Sequence, residues 1–194
     1  MTDCEDVQWD NLVTIGSLIG LERLFIDGVG VSDDSFDESR LSTLTSLRLL
    51  NMDYCAWSVS LSPLVSGMSH LWSLSLHGCG SPSLAPLMCL ASTLAYLDIG
   101  GNDERRSLAP LSALTGLVSL SLRESPDTVD LSPLSTLTNL KHLDLSDCQE
   151  WIGDMKPLRG LAALKLLNLK GNFDLEAVAP IAGPRSDRRD PDLG

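Results

Sequence analysis

Leucines in this chain recur in a fixed phrase. The pattern L-x-x-L-x-L, closed three residues later by Cys, Asn or Ser, begins at Leu47, Leu71, Leu94, Leu117, Leu140 and Leu164. Typical copies are Leu94-Ala-Tyr-Leu97-Asp-Ile99-Gly-Gly-Asn102 and Leu140-Lys-His-Leu143-Asp-Leu145-Ser-Asp-Cys148. An earlier copy begins at Leu21 and ends on Val29, without the polar closing residue. Successive offsets are 26, 24, 23, 23, 23 and 24 residues. Inside each copy L-x-L alternates with period two, so its apolar residues share one face; that is the signature of a short strand.

A second ladder runs beside the first. Pro63, Pro86, Pro110, Pro133, Pro157 and Pro180 lie 23, 24, 23, 24 and 23 residues apart, each with an apolar residue two before and one directly after. Ser62-Pro63 and Ser132-Pro133 pair a favourable N-cap with a proline preset for the first helical position. The leucines that follow, as in Leu134, Leu137 and Leu140, repeat every three residues. Period three predicts a short 3₁₀ or irregular turn rather than a full α-helix. Each copy therefore makes one lap, strand out and turn back, and successive strands stack in parallel at about 4.8 Å. No copy can bury its leucines alone, so stability belongs to the stack.

The closing position carries Cys55, Cys79, Asn102, Ser125, Cys148 and Asn172. There the chain turns inward, and a small polar side chain can satisfy backbone amide groups from inside the stack. Three of the five cysteines are accounted for as structural in this way. Cys89, between Met88 and Leu90, is expected in the core on the turn side, and Cys4 lies outside the repeats.

Composition narrows the function. The 194 residues carry 26 acidic against 14 basic side chains, a net charge of −12. That sign repels phosphate backbones and anionic lipid heads, so neither nucleic acid nor a membrane surface is expected as a partner. It suits either a solvated surface or an acidic face for a partner with a basic surface. No run approaches 18 apolar residues, and the acidic start Met1-Thr2-Asp3-Cys4-Glu5-Asp6 is the opposite of a signal peptide. The odd cysteine count, with no C-x-x-C spacing, argues against a disulfide framework or a metal site and favours a reducing, intracellular and cytoplasmic setting.

Over about residues 12–182 the phrase, its phase and its closing residue resemble the leucine-rich-repeat superfamily. The segments Leu145-Ser-Asp-Cys148 with Met155-Lys-Pro-Leu158, and Asp130-Leu-Ser-Pro-Leu134, resemble the 23-residue repeats of trypanosomatid leucine-rich-repeat proteins and, more distantly, those of bacterial internalins. The resemblance implies an α/β repeat fold: a right-handed solenoid with a parallel concave sheet and short 3₁₀ or irregular turns on the convex side. It also implies a non-enzymatic module or scaffold that binds a partner protein on the concave face, with no cofactor. A recognition or regulatory arm of a larger enzyme complex, or a secreted internalin-like adhesin, is the alternative. Residues 1–11 form an N-terminal extension or partial cap, and 183–194, almost without apolar residues, a disordered tail. With neither end convincingly capped, a segment of a longer repeat protein or associating ends is also expected.

On such a sheet the strand residues between the core leucines face outward in three columns. The central column is Phe25, Asn51, Ser75, Asp98, Ser121, Asp144 and Asn168. The preceding column is Arg23, Leu49, Ser73, Tyr96, Ser119, His142 and Leu166, and the following one is Asp27, Asp53, His77, Gly100, Arg123, Ser146 and Lys170. The candidate binding residues are Arg23, Phe25, Asp27, Asn51, Asp53, Ser75, His77, Tyr96, Asp98, Ser121, Arg123, His142, Asp144 and Asn168. Phe25 and Tyr96 are the natural anchors, because aromatic side chains dominate interface hot spots. The acidic insertion Val31-Ser-Asp-Asp-Ser-Phe-Asp-Glu38 replaces one proline phrase and is either a tolerated surface loop or a contact centred on Phe36. Trp57, Trp72 and Trp151 are expected along the edges of the stack.

Catalytic constellations are missing from the sequence. Phosphate-binding, dinucleotide, zinc-protease and nucleophile-elbow motifs do not occur. Ser119, His142 and Asp144 can neighbour one another on adjacent strands, but an open sheet offers them neither a pocket nor oxyanion donors.

Overall fold

The computed structural model describes residues 14–28, 38–55, 61–80, 82–102, 107–125, 130–148 and 154–172. The expected terminal segments, most of the 31–38 insertion with Phe36, Cys4, Trp57, Trp151 and the last proline phrase lie outside them.

Seven three-residue strands form one parallel sheet in sequence order: β1 (Arg23–Phe25), β2 (Leu49–Asn51), β3 (Ser73–Ser75), β4 (Tyr96–Asp98), β5 (Ser119–Ser121), β6 (His142–Asp144) and β7 (Leu166–Asn168). Pairing is in register throughout, with Leu24, Leu50, Leu74, Leu97, Leu120, Leu143 and Leu167 side by side. The first six of these leucines are buried, while the residues on either side of them face outward. The two outward columns that lie within the strands are thereby aligned.

The return path follows the period of three. Leu111, Leu114 and Leu117 donate their amides to the carbonyls of Leu108, Leu111 and Leu114 at 2.8, 2.9 and 2.9 Å, and Leu134, Leu137 and Leu140 repeat the arrangement. One spacing thus makes the 3₁₀ hydrogen bonds and turns the same side chains inward, where Leu111, Leu114, Leu117, Leu134, Leu137 and Leu140 are fully buried. Each such side chain contributes about 1.5–3 kcal/mol relative to exposure. Five return segments are 3₁₀, at Glu38–Thr43, Ala85–Leu90, Ala109–Ala113, Ser132–Thr136 and Lys156–Gly160, and one, Leu61–Ser66, is a short α-helix. The first of them has no proline, so the leucine period suffices.

Two local expectations are corrected. Ser132 does not cap its turn: Leu131 holds the capping position, with no side-chain hydrogen bond. The carboxylate of Asp130 accepts the Ser132 amide at 2.9 Å instead, and Asp154 does the same for Lys156 at 2.9 Å. The turn begins one residue earlier than a serine cap requires, with the proline second in it, so capture of the free amide passes to the residue three before the proline. Cys89 is exposed rather than in the core. Inward positions in its turn are Leu84, Leu87 and Leu90, and a period of three leaves Met88 and Cys89 outside.

Candidate interaction face

Past each strand the chain enters the stack through one left-handed residue. Gly28, Tyr54, Gly78, Gly101, Glu124, Asp147 and Gly171 occupy that position, with φ between 56° and 78°. The amides of the first six donate in turn to the carbonyls of Asp53, His77, Gly100, Arg123, Ser146 and Lys170 in the following repeat, at 2.6–3.0 Å. Glycine adopts this conformation freely, whereas Tyr54, Glu124 and Asp147 hold it at a cost of about 1–2 kcal/mol each. Glycine in four of the seven copies is the sequence signal for this column.

The closing residue comes next, and its side chain serves carbonyls more than amides. The Cys55, Cys79 and Cys148 thiols donate to the carbonyls of Ile26, Met52 and Leu122 at 3.0, 2.8 and 3.3 Å. Asn102 Nδ2 reaches Leu76, Ile99 and Gly100 at 3.2, 2.7 and 2.9 Å, and Asn172 Nδ2 reaches Leu145 at 2.7 Å. In each case one acceptor is the last apolar strand residue of the preceding repeat, whose carbonyl lies beyond the sheet ladder. Burial pushes the Cys148 thiol pKa up, which keeps the sulfur protonated and donating.

Outward, the central column has a structural duty of its own. Asn51, Asp98, Asp144 and Asn168 each accept, on Oδ1, the amide two residues onward, at 3.1, 2.9, 2.9 and 3.2 Å. In the Ser75 copy Asp53 replaces this: its Oδ1 accepts the His77 amide at 3.0 Å and the Ser75 hydroxyl, while its Oδ2 accepts Asn51 Nδ2 at 3.1 Å. Asp53 is therefore held by its neighbours and Asp98 Oδ2 faces Arg123 Nε at 3.8 Å, whereas Asp144 Oδ2 has no partner among the described residues.

The remaining candidates fall in distinct places. Arg23 lies 5.7 Å over the Phe25 ring, which is exposed, as is Asp27. Tyr96 meets Trp72 edge-on at 5.1 Å, both rings 41% exposed, so Trp72 joins the margin of this face. His142 is exposed and lies in register with Ser119, but among the described residues no hydrogen bond links them as a nucleophile and base.

The third expected outward column is only partly outward, because it lies past the strands where the chain turns into the stack. Asp27 and Lys170 are exposed, Gly100 and Ser146 are buried, and His77 is 1% exposed. Tyr54 packs edge-on against its ring at 5.1 Å, and Nδ1 and Nε2 lie 3.8 and 3.7 Å from Asp98 Oδ1 and Glu124 Oε2. Neither ring nitrogen has a hydrogen-bond partner, nor does the buried Ser121 hydroxyl. Arg123 spans the same edge, with Nε 3.8 Å from Asp98 Oδ2 and Nη1 3.3 Å from Glu124 Oε1. Among the described residues no three acidic, histidine or cysteine side chains are grouped as metal ligands, and no helix is long and apolar enough to cross a membrane.

No family model and no curated protein matches the chain. Solved structures do. Internalin C2 of Listeria monocytogenes matches with a TM-score of 0.65 at 23% identity, over 90% of this chain and 71% of that one. The internalin InlF of the same organism matches with a TM-score of 0.61 at 24% identity, over 87% of this chain and 54% of that one. The chain thus spans about half the length of InlF. With the in-register seven-stranded sheet, these likenesses make the fold a leucine-rich-repeat solenoid. They bear on the internalin resemblance and not on the trypanosomatid one.

Proposed function

We propose that the chain is a non-enzymatic interaction module that binds a partner protein on the outer, concave face of the sheet. One observation carries this reading most directly. The convex side is covered by return turns, while the strands present an aligned and uncovered set of side chains that varies from repeat to repeat. Exposed Phe25, Trp72 and Tyr96 supply apolar contact, and Asp144 supplies charge with one oxygen uncommitted among the described residues. Rigid repeats that present such a surface are binding platforms. An intracellular setting belongs to the same proposal, because the cysteines of the closing ladder act as thiol donors.

The test compares partners captured by the wild-type chain with those captured by a Tyr96→Ala, Ser119→Lys double variant. Neither side chain takes part in the amide-capturing contacts described above. Loss of specific partners from the variant, with its circular dichroism and unfolding midpoint unchanged, is expected. Identical partner sets would exclude this face.

A further inference from the structure

We propose that β5 floors a trough that seats an arginine side chain of the partner, an assignment that rests on the outer face being the binding face. The strand contributes two small residues, Ser119 and Ser121, where its neighbours contribute large ones. Register places Ser119 between Tyr96 and His142, and Ser121 between Asp98 and Asp144. The walls are therefore two rings at one end and two carboxylates at the other, about 10 Å apart from Cα to Cα across two strand spacings. Along the strand the ring end and the acidic end are separated by about 7 Å, the rise over two residues. An extended arginine matches that layout, with its aliphatic stem between the rings and its guanidinium between the carboxylates.

Charge and unmet hydrogen bonding both point to the acidic end. Arg123 would close the trough, but Asp98 and Glu124 already hold it, while Asp144 makes no ion pair among the described residues. Both aspartates are pre-aimed, because each Oδ1 is fixed by the amide of Gly100 or Ser146 at 2.9 Å. The Ser121 hydroxyl beneath the floor is buried and has no hydrogen-bond partner among the described residues. Behind Asp98 lies His77, 1% exposed, with neither ring nitrogen hydrogen-bonded and Nδ1 turned toward Asp98 Oδ1 at 3.8 Å. Buried polar groups without partners cost about 1–3 kcal/mol each. Two of them lie buried beside the acidic end of the trough, next to the Asp98 carboxylate. The donor-only guanidinium supplies what carboxylates accept.

The probe is the capped tripeptide acetyl-Ala-Arg-Ala-amide, titrated into the full ¹⁵N-labelled chain and followed by backbone amide shifts. The same tripeptide with citrulline, which keeps the shape without the charge, and with lysine are the controls. Shifts confined to β4, β5 and β6 are expected, with citrulline binding weaker by roughly fivefold or more. Asp144→Asn, which keeps Oδ1 for the Ser146 amide, should weaken the arginine peptide by roughly threefold to fivefold. Equal binding of citrulline or lysine, or shifts elsewhere on the outer face, would overturn the arginine trough and leave that face in use. Shifts on the convex turns would count against both. Absence of shifts with the arginine peptide would overturn the trough alone, and the wild-type comparison holds even if the variant does not fold.

Discussion

The interior closing ladder and the outer margin around His77 lie only two residues apart in each repeat, and they treat polar groups in opposite ways. Inside, Cys55, Cys79, Asn102, Cys148 and Asn172 meet carbonyls that the sheet leaves open. At the margin His77 is buried with both ring nitrogens unbonded among the described residues, close to two carboxylates. The ladder recurs in the second, third, fourth, sixth and seventh repeats because each turn creates the same open carbonyl. The margin occurs once, where individual residues from three repeats converge. What recurs builds the solenoid, and what occurs once is free to differ for a partner.

The strongest way to break this contrast is in the ladder. Asn102→Leu removes three hydrogen bonds from a buried site and should cost about 3 kcal/mol or more by urea unfolding. A cost under about 1 kcal/mol would deny the ladder its structural role. Next comes the column between the two regions. A Cβ at Gly101 would stand 2.6 Å from His77 Cε1 on a backbone at φ +63°. Gly101→Ala should therefore destabilise by about 2–3 kcal/mol, measured in the same way. His77→Leu sharpens the contrast from the other side. Replacing an unbonded ring by an apolar side chain should leave stability within about 1 kcal/mol of wild type, unlike Asn102→Leu.

Much of this organisation was legible in the sequence. Strand position, register and the leucine period of the return turns follow from spacing, because one residue type is buried at the same phase of each lap. The two outward columns within the strands follow from period-two alternation for the same reason. The third, past the strand ends, is partly buried, at His77, Gly100 and Ser146. The left-handed column was less plain, since Tyr54, Glu124 and Asp147 disguise a position that glycine marks elsewhere. Cys89 was misplaced because a cysteine beside leucines looks buried until the turn's phase is fixed. The burial of His77 was not legible at all. It depends on Tyr54, Asp98, Arg123 and Glu124 closing round one ring, and no periodic rule relates those residues.

The smallest expected effect is in the return turns, away from both regions. Accepting the Ser132 side-chain and backbone hydrogen bonds lowers the carboxyl pKa of Asp130, and the Lys156 amide lowers that of Asp154. A depressed folded-state pKa contributes stability above the unfolded carboxyl range, and that contribution is lost as pH falls through the folded value. Asp130→Ala should therefore show a slightly shallower loss of unfolding midpoint below the ordinary carboxyl range than wild type. Both residues are exposed, so the ladder variants should dwarf the difference. A change as large as that of Asn102→Leu would contradict this ranking.

The central claim is that the outward strand residues meet the partner and the return turns do not. Its most direct test places a photo-crosslinking residue at Ser73 or Ser119 on the sheet face and at Ser112 or Ser135 on the turns, in otherwise unchanged chains. Crosslinks to one and the same protein from both sheet positions, absent from both turn positions, are the predicted result. Crosslinks from the turns with none from the sheet would contradict the account.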